Sequence, residues 1–367
     1  MEKIKIEIKG KDKKYPIFID SSTSSLIEKF ITENHKNKKI VIITDDNIKN
    51  LCENSILKSL KTLNPYLISI PAGENSKTRE TKEKIEDILL ERKYGRDTLI
   101  IAFGGGVIGD LAGFTASTFN RGIPIIHVPT TLLAMVDSSI GGKTSVNTKH
   151  GKNLIGTTYQ PNAVFTDLNF IDTLSKEEFL SGMAEMIKIS ITSDKDLFSF
   201  IEKNNEKIMK REKNALLHII KMCVELKKDI VEKDVKESGL RQILNFGHTF
   251  GHALENYSKY KIKHGFCVSS GIAVESKISV LSGNLKQEEE NRIISLLNKF
   301  NLPTKIKKDI DENKIIEIMK VDKKTRNQKP RFVVLEEIGK IKVQNNNFSF
   351  EISEEMIKNS IEQCKND

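Results

Sequence analysis

Two apolar runs in the first third of the chain constrain the fold most strongly. KIVIITDDN (39–47) ends in acids, and DTLIIAFGGG (97–106) ends in glycines. Both are rich in β-branched residues and lack polar alternation, which is typical of strands buried on both faces of a parallel sheet. Between them, apolar residues over 85–89 recur at helical spacing, and Gly95 is a candidate C-cap. The pattern predicts a β-α-β unit.

Similar strand signals extend the sheet and then stop. IPIIHVPTT (123–131) and NAVFTDLNF (162–170) predict further strands, and the alternation in MEKIKIEIKG predicts an edge strand at the N-terminus. Later, long amphipathic patterns such as ALLHIIKMCVELKKDIV take over. At 367 residues the chain is also long for a single core. We therefore predict an α/β N-terminal domain with a Rossmann-like parallel sheet (1–175) and an all-α C-terminal domain (176–367).

Composition excludes several classes of protein. The net charge of +9 comes from lysines interleaved with acids, so we do not expect a nucleic-acid partner. No apolar run approaches the roughly 20 residues that span a bilayer, and the N-terminus lacks the apolar stretch of a signal peptide. We expect no membrane partner and a cytoplasmic location. The four cysteines lie far apart without C-x-x-C spacing, which suits reduced thiols.

A glycine turn follows the strand predicted over 97–106. Gly104, Gly106 and Gly109 match G-x-G-x-x-G between a predicted strand and a predicted helix. Such glycines let the backbone approach a pyrophosphate, and the helix N-terminus supplies N–H donors. The acid usually found about 20 residues further on is missing from IIHVPTTLLAM (125–135). Dinucleotide binding and tight glycine packing therefore both stay open.

A second glycine-rich segment, DSSIGGKTS (137–145), resembles a P-loop only in part. Asp137 stands where the motif requires its first glycine, so we do not predict a P-loop. Lys143 nevertheless lies beside glycines and hydroxyls, where it could meet a phosphate.

Histidines and one acid in the second half form a candidate metal site. In RQILNFGHTFGHALE, His248 and His252 would lie one helical turn apart, and His264 follows downstream. A catalytic zinc site takes three protein ligands and keeps one open position, and HTFGH lacks the glutamate of H-E-x-x-H. Glu185 and Lys188 on an apolar helical segment supply a possible further ligand or a core salt bridge. The residues alone leave metal binding and core packing open.

Together the segments resemble one enzyme family. GGGVIGDLAGFTASTFNRGI, VPTTLLAMVDSSIGGKTSVN, HGKNLIGTTYQP, GMAEMIKIS, ESGLRQILNFGHTFGHALE and KHGFCVSSG are similar to successive blocks of the 3-dehydroquinate synthase family, in the same order. The resemblance spans nearly the whole chain. It implies an NAD-binding α/β domain, a helical domain, and one divalent ion, zinc or cobalt, in an active-site cleft between them.

The resemblance also implies roles for individual residues. By motif position the metal ligands would be Glu185, His248 and His264, which leaves His252 to the substrate or to outer hydrogen bonding. The implied catalytic residues are Lys143, Lys188, Lys227, Arg241, Asn245 and His252, and the implied substrate-binding residues are Arg121, Asn153 and Lys323 or Lys324. The implied NAD-binding residues are Asp45, Ala72, Gly73, Glu74, Asn75, Ser76, Lys77, Gly106, Val107, Ile108, Gly109, Asp110, Thr130, Thr131, Asp137, Lys143, Lys152, Phe170, Ile171, Asp172 and Thr173. Asp45 would do the work of the missing ribose acid.

The implied reaction converts 3-deoxy-D-arabino-heptulosonate 7-phosphate into 3-dehydroquinate and phosphate, in the shikimate pathway. It combines transient NAD-dependent oxidation, β-elimination of phosphate, re-reduction and intramolecular aldol closure. We expect a small anionic sugar phosphate as substrate and a homodimer as the assembly. Other sugar phosphate cyclases, an NAD- and metal-dependent polyol dehydrogenase of the glycerol type, and a non-enzymatic binding module are the alternatives.

Overall fold

The computed structural model describes residues 1–8, 13–321 and 329–366. The chain divides into two compact units, Met1–Leu174 and Ser175–Asp367. The first unit is an α/β unit built on a parallel sheet, and the second is helical, so the predicted fold class is confirmed.

The strands of the first unit form a mixed sheet and a separate hairpin. The strands are β1 (Glu2–Ile8), β2 (Lys13–Asp20), β3 (Lys39–Asp45), β4 (Tyr66–Ile70), β5 (Thr98–Gly104), β6 (Ile125–Pro129), β7 (Lys143–Thr148), β8 (Gly151–Thr158) and β9 (Ala163–Asp167). The sheet order is β1-β2-β9-β6-β5-β3-β4; β1 pairs antiparallel with β2, and the other neighbours are parallel. The strands predicted from the apolar runs are confirmed, whereas the antiparallel β7–β8 hairpin was not predicted.

Helices cover this sheet, and one of them ends differently from the prediction. They are α1 (Ser24–Asn34), α2 (Lys49–Cys52), α3 (Arg79–Glu91) and α4 (Gly106–Thr118). Lys93 takes the left-handed conformation, with φ 56°. The N–H groups of Lys93 and Tyr94 then donate to the carbonyls of Leu90 and Leu89, both at 2.9 Å. These bonds close α3 before Gly95 is reached, so the prediction of Gly95 as the C-cap is wrong.

The second unit is built around two buried helices. Its helices are α5 (Lys176–Ser193), α6 (Lys195–Lys203), α7 (Asn205–Met209), α8 (Lys213–Lys233), α9 (His248–Tyr257), α10 (His264–Leu281), α11 (Gln287–Lys299), α12 (Glu312–Val321) and α13 (Glu354–Gln363). Most residues of α5 and α10 are buried, and α10 packs against α5, α9, α11 and α13. No helix in the described part of the chain combines the length and apolarity needed to cross a membrane.

Short strands also occur in the second unit, which the sequence patterns did not indicate. They are β10 (Arg331–Phe332), β11 (Leu335–Glu337), β12 (Lys340–Ile341) and β13 (Phe350–Glu351), paired as β10–β13 and β11–β12. Each has two or three residues, which is too few to display a period of two.

Two glycines of α10 set how closely the central helices approach. A Cβ atom on Gly265 would lie 2.2 Å from the carbonyl oxygen of Ser181 on α5, and one on Gly271 would lie 1.8 Å from the carbonyl oxygen of Gly247. The N–H of Gly265 also donates to the Ser181 hydroxyl at 3.0 Å. Only a residue without a side chain permits this backbone contact. The start of α10 is therefore held against the first half of α5.

We predict that Gly265→Ala destabilises the second unit. The added methyl group meets backbone rather than a flexible side chain, so the expected loss is about 1–3 kcal/mol in the free energy of unfolding. Urea unfolding followed by circular dichroism measures it. Ser270→Ala is the matched control on the same buried helix, because that hydroxyl bonds to Phe266 of its own helix. Equal stability of Gly265→Ala and the wild type would contradict the prediction.

Candidate active site

A buried glutamate on α10 fixes where helix α9 begins. The Glu275 carboxylate is fully buried and accepts hydrogen bonds from the N–H groups of Thr249 at 3.1 Å and Phe250 at 3.4 Å. These donors belong to the first turn of α9, whose N–H groups have no partner within the helix. A carboxylate there also interacts favourably with the helix dipole. His248 is thereby held as the first residue of α9, and His252 lies one turn later.

The three histidines and Glu185 come together inside the second unit. Nε2 of His248 lies 3.3 Å and Nε2 of His264 lies 3.2 Å from Oε1 of Glu185. The ring centroid of His252 is 5.1 Å from that of His248 and 5.8 Å from that of His264. Donor atoms of the three histidines lie within 4.8 Å of one another. Helices α5, α9 and α10 each contribute to this cluster.

The other ring nitrogens of two histidines are occupied by hydrogen bonds. Nδ1 of His248 donates to the carbonyl of Phe246 at 3.1 Å, and Nδ1 of His264 donates to Oε2 of Glu255 at 3.2 Å. A carbonyl and a carboxylate can only accept, so the Nδ1 atom of each ring is assigned a proton. Both Nε2 atoms therefore turn toward Glu185. This arrangement of an outer acceptor, an imidazole and a shared inner position is typical of metal-binding histidines.

Charge in the cluster is balanced around Glu185. Nζ of Lys188 lies 2.5 Å from Oε2 of Glu185, and both side chains are buried. Burial acts to raise the pKa of Glu185, but Lys188 and His248 outweigh it and hold that pKa well below its usual range. Burial likewise opposes protonation of His264, yet Glu185 and Glu255 raise its pKa to about 10. The salt bridge and the histidine contacts thus use different oxygens of one carboxylate.

The donor set fits a divalent metal ion. One carboxylate oxygen of Glu185 and the Nε2 atoms of His248 and His264 converge on one position. Zinc uses these atom types, and its catalytic sites take three protein ligands. His252 is close enough to be a further donor or to face a bound molecule.

We predict that His248→Ala weakens metal binding by more than about 100-fold, since loss of a ligand should exceed the 10–100-fold effect of an outer partner. Metal content after dialysis and chelator competition measure the change. His218→Ala is the control, because His218 belongs to the same unit but packs against Phe200 outside the cluster. Unchanged metal content in a folded His248→Ala protein would remove His248 from the site.

Polar residues predicted to meet the substrate lie on neighbouring elements of the second unit. Lys188 on α5 and Lys227 on α8 are buried. Arg241 and Asn245 lie on a 3₁₀ turn, Leu240–Asn245, that packs against both α5 and α8. The structure therefore brings the turn to the two lysine-bearing helices.

Asp234, which sequence reasoning missed, holds the segment before this turn. Its carboxylate accepts hydrogen bonds from the N–H groups of Ser238 at 3.0 Å, Gly239 at 2.7 Å and Arg241 at 3.0 Å. Partial burial acts to raise the pKa of Asp234, and these N–H donors lower it overall. The Arg241 guanidinium donates to the carbonyl of Val235 at 3.0 Å. An aspartate before serine and glycine was the available signal for such a turn.

The predicted NAD-binding residues of the first unit gather mainly at one edge of the sheet. Because β3, β4, β5, β6 and β9 are parallel, their carboxyl ends share that edge. Residues 45, 72–77, 106–110, 130–131 and 170–173 all lie at or directly after those strand ends. In the sheet, β3 lies between β4 and β5. The chain therefore leaves β3 toward β4 on one side and leaves β5 toward β6 on the other side. Ligands of open α/β sheets bind at such a switch point.

The glycine turn presents the start of α4 at this edge. Strand β5 ends at Gly104 and α4 begins at Gly106. The first helical hydrogen bond runs from the N–H of Gly109 to the carbonyl of Gly105 at 3.0 Å. The N–H groups of residues 106–108 lie before this bond, at the N-terminal end of the helix. Such N–H groups and the helix dipole favour an anion. At the neighbouring strand end, burial raises the pKa of Asp45.

A polar network joins several predicted residues beside α4. Nζ of Lys77 contacts Oδ2 of Asp110 and lies 2.6 Å from Oδ1 of Asn153. The Ser145 hydroxyl lies 2.8 Å from the same Asn153 oxygen and 3.2 Å from Asp110. Burial raises the pKa of Asp110 against the opposing charge of Lys77. Sequence reasoning missed Ser145, although it follows Lys143 at the two-residue spacing of a strand face.

A second missed residue ties the network to the segment after β4. Asn147 donates to Oε1 of Glu74 at 2.7 Å, and its N–H donates to the carbonyl of Lys77 at 2.7 Å. Nζ of Lys152 lies 3.7 Å from the same Glu74 oxygen. Glu74, Lys77 and Lys152, all predicted from the sequence, therefore stand beside one another.

Some predicted residues lie elsewhere. Arg121 follows α4 and precedes β6, so it lies at the amino-end edge of the sheet. At a rise of 1.5 Å per residue, α4 separates it from Gly106 by about 20 Å. Lys143 is exposed at the start of β7, and Asp137 lies in the short helical turn Ala134–Ser138. The remaining residue, Lys323 or Lys324, lies outside the described residues.

We predict that Lys77→Met weakens NAD binding at least tenfold, or about 1.4 kcal/mol. Without Lys77, a buried acid next to the start of α4 loses its countercharge and opposes an incoming pyrophosphate. Calorimetric titration with NAD measures the affinity. Lys82→Met is the control, because Lys82 pairs with Glu86 within α3 at 2.5 Å. Equal affinities for the two variants would contradict a specific role for Lys77.

Solved structures define the class to which the two units belong. 2-Deoxy-scyllo-inosose synthase, solved with carbaglucose-6-phosphate, NAD⁺ and Co²⁺, superposes with a TM-score of 0.88 at 25% identity over 99% of this chain and 100% of the other. A probable glycerol dehydrogenase from Sinorhizobium meliloti superposes with a TM-score of 0.66 at 14% identity over 95% and 96% of the two chains. The first structure has the fold of the sugar phosphate cyclases. The second structure shows only that its fold is similar to that of this chain.

Sequence comparison identifies the family within that class. Family models described as the N-terminal and C-terminal parts of 3-dehydroquinate synthase match residues 67–181 and 182–325. A 3-dehydroquinate synthase from Thermodesulfovibrio yellowstonii is 41% identical over 361 residues, which is 98% of this chain and 99% of the relative. The chain therefore belongs to the 3-dehydroquinate synthase family, as the resemblance implied.

Proposed function

We propose that the chain converts 3-deoxy-D-arabino-heptulosonate 7-phosphate into 3-dehydroquinate and phosphate, using NAD and one divalent metal ion. The observation that carries this proposal is the convergence of Glu185, His248 and His264 in a chain 41% identical to a 3-dehydroquinate synthase over nearly its whole length. The first unit would hold NAD, and the second would hold the metal ion and most of the substrate.

The residues of the metal site have distinct tasks in this proposal. Glu185, His248 and His264 would hold the ion. When bound, the ion would lower the pKa of substrate hydroxyls and polarise the neighbouring carbonyl. Lys188 keeps Glu185 ionised and in place, since it neutralises the oxygen that faces away from the histidines. His252, partly exposed beside the other two rings, is the proposed group that moves protons at its imidazole nitrogens.

The NAD site would use the carboxyl edge of the sheet. The N–H groups of 106–108 would bind the pyrophosphate, and Asp45 at the end of β3 would accept hydrogen bonds from a ribose. Lys77 and Asp110 would orient the segment beside the cofactor through their contact. Bound NAD would take up a hydride from the substrate and return it.

Recognition of the substrate would fall to cationic and amide groups. Lys227, Arg241 and Asn245 are the proposed anion-binding groups of the second unit, and Lys143 and Asn153 are those of the first. Arg241 suits a carboxylate because its fork can donate two parallel hydrogen bonds. A lysine at 323 or 324 completes the proposed set, whereas Arg121, at the opposite edge of the first unit's sheet, stays a prediction of the family resemblance alone.

A polyol dehydrogenase is the runner-up because it shares the fold. The glycerol dehydrogenase structure is only 14% identical to this chain. Both parts of the 3-dehydroquinate synthase family model match the chain, and a 3-dehydroquinate synthase is 41% identical over 98% of it. This favours the synthase over the dehydrogenase.

We also propose a homodimer in the cytoplasm. Each of the four cysteines is buried, which suits reduced thiols in a reducing compartment. A small-molecule substrate, rather than nucleic acid or membrane, is the proposed partner.

We predict that trace NAD supports many turnovers, each releasing one phosphate without net NADH. The reason is that the proposed reaction oxidises and re-reduces its substrate in one site. The assay contains enzyme, sub-stoichiometric NAD, zinc or cobalt and the heptulosonate phosphate, and it follows inorganic phosphate together with absorbance of reduced nicotinamide.

The control reaction replaces the sugar phosphate with glycerol. NADH that accumulates in proportion to substrate consumed, or glycerol oxidation without phosphate release from the sugar phosphate, would support the dehydrogenase instead. Turnover of a carboxylate-free sugar phosphate in preference to the heptulosonate phosphate would point to another cyclase.

A further inference from the structure

Glu255 is a buried carboxylate that touches the histidine cluster from outside. It lies on α9, one turn after His252, and is 5% exposed. Its Oε2 atom lies 3.2 Å from Nδ1 of His264, on the side of the ring opposite the Glu185 contact. His264 is therefore clamped between two carboxylates that come from two other helices.

The two histidines that approach Glu185 differ in what orients them. His248 donates through Nδ1 to a main-chain carbonyl, that of Phe246. His264 donates to a side chain, and its own side chain is 32% exposed, so packing constrains it less than it constrains His248, which is 10% exposed. A ring with an open flank can rotate and can place its proton on either nitrogen unless a hydrogen bond selects one state. Glu255 supplies that bond.

The burial of Glu255 also supports a role as the hydrogen-bond acceptor that orients His264. An ionised carboxylate removed from water is unfavourable unless it is paired or hydrogen-bonded. The structure places its Oε2 on the Nδ1–H of His264. An outer acceptor of this kind raises the basicity of the opposite nitrogen and fixes its direction.

We propose that Glu255 is a positioning residue for the metal ion and acts through His264. By holding the proton on Nδ1, it presents the Nε2 lone pair to the position that Glu185 and His248 share. Glu255 itself does not touch the ion or the substrate. This role rests on the metal site proposed above.

The experiment compares metal affinity in three variants of the full chain. Glu255→Ala removes the acceptor, and Glu255→Gln keeps an acceptor oxygen but removes the charge. Glu290→Gln is the matched control, because Glu290 is an equally buried glutamate of the same unit that pairs with Lys277 at 2.8 Å, away from the histidines. Co²⁺ and Zn²⁺ dissociation constants come from chelator competition, and thermal melts of the metal-free proteins report folding.

We expect Glu255→Ala to bind Co²⁺ about 10–100-fold more weakly than the wild type, Glu255→Gln to fall between them, and Glu290→Gln to stay within about twofold. The visible spectrum of the Co²⁺-saturated protein is the second readout, because a re-oriented His264 changes the ligand field even at full occupancy. If Glu255→Ala does not fold, the Co²⁺ affinity and the spectrum of Glu255→Gln test the positioning role instead.

Wild-type affinity and spectrum in the folded Glu255 variants would overturn the positioning role while leaving the metal site in place. An equal loss in Glu290→Gln would also overturn it, because the effect would then be general destabilisation. A wild-type protein that binds no more metal than His248→Ala would instead overturn the metal site, and the role of Glu255 with it.

Discussion

The close contact between α10 and its neighbours is the constraint on which the candidate metal site depends. Gly265 lies against the backbone of Ser181, and Glu185 follows Ser181 by one helical turn on α5. His264 directly precedes Gly265 on α10. A side chain at residue 265 would push the two helices apart and would separate the imidazole from the carboxylate. The backbone contact between α10 and α5 therefore brings His264 within 3.2 Å of Glu185.

The buried carboxylates near this contact are each oriented by identified hydrogen-bond or ion-pair partners. Glu275 accepts from the first turn of α9, Glu255 accepts from His264, and Glu185 divides its oxygens between Lys188 and the histidines. A buried charge is tolerated when such partners satisfy it, and the partners then lose their freedom to rotate. The acids of the second unit thereby help to fix the histidines.

The first unit follows a different rule, in which topology gathers residues that are far apart in sequence. Parallel strands place their carboxyl ends at one edge, so Asp45, the 72–77 segment and the glycine turn meet although more than fifty residues separate the first from the last. The β7–β8 hairpin then brings Asn153 to Lys77 and Asp110. The same rule places Arg121 at the opposite edge, because α4 runs the full depth of the sheet before β6 begins.

Sequence patterns by themselves determined the buried strands, the long helices and the change of fold class after the sheet, because periodicity is a local property. Family motifs also pointed to Glu185, His248 and His264. Only the tertiary structure decided which oxygen of Glu185 faces the rings, that Glu255 and Glu275 orient them, and that Ser145, Asn147 and Asp234 support predicted residues. These are contacts between residues distant in the chain, set by helix packing and strand order, and no local pattern encodes them. The end of α3 was missed for a different, local reason: Lys93 adopts a left-handed conformation that usually favours glycine, and two hydrogen bonds to Leu90 and Leu89 close the helix there.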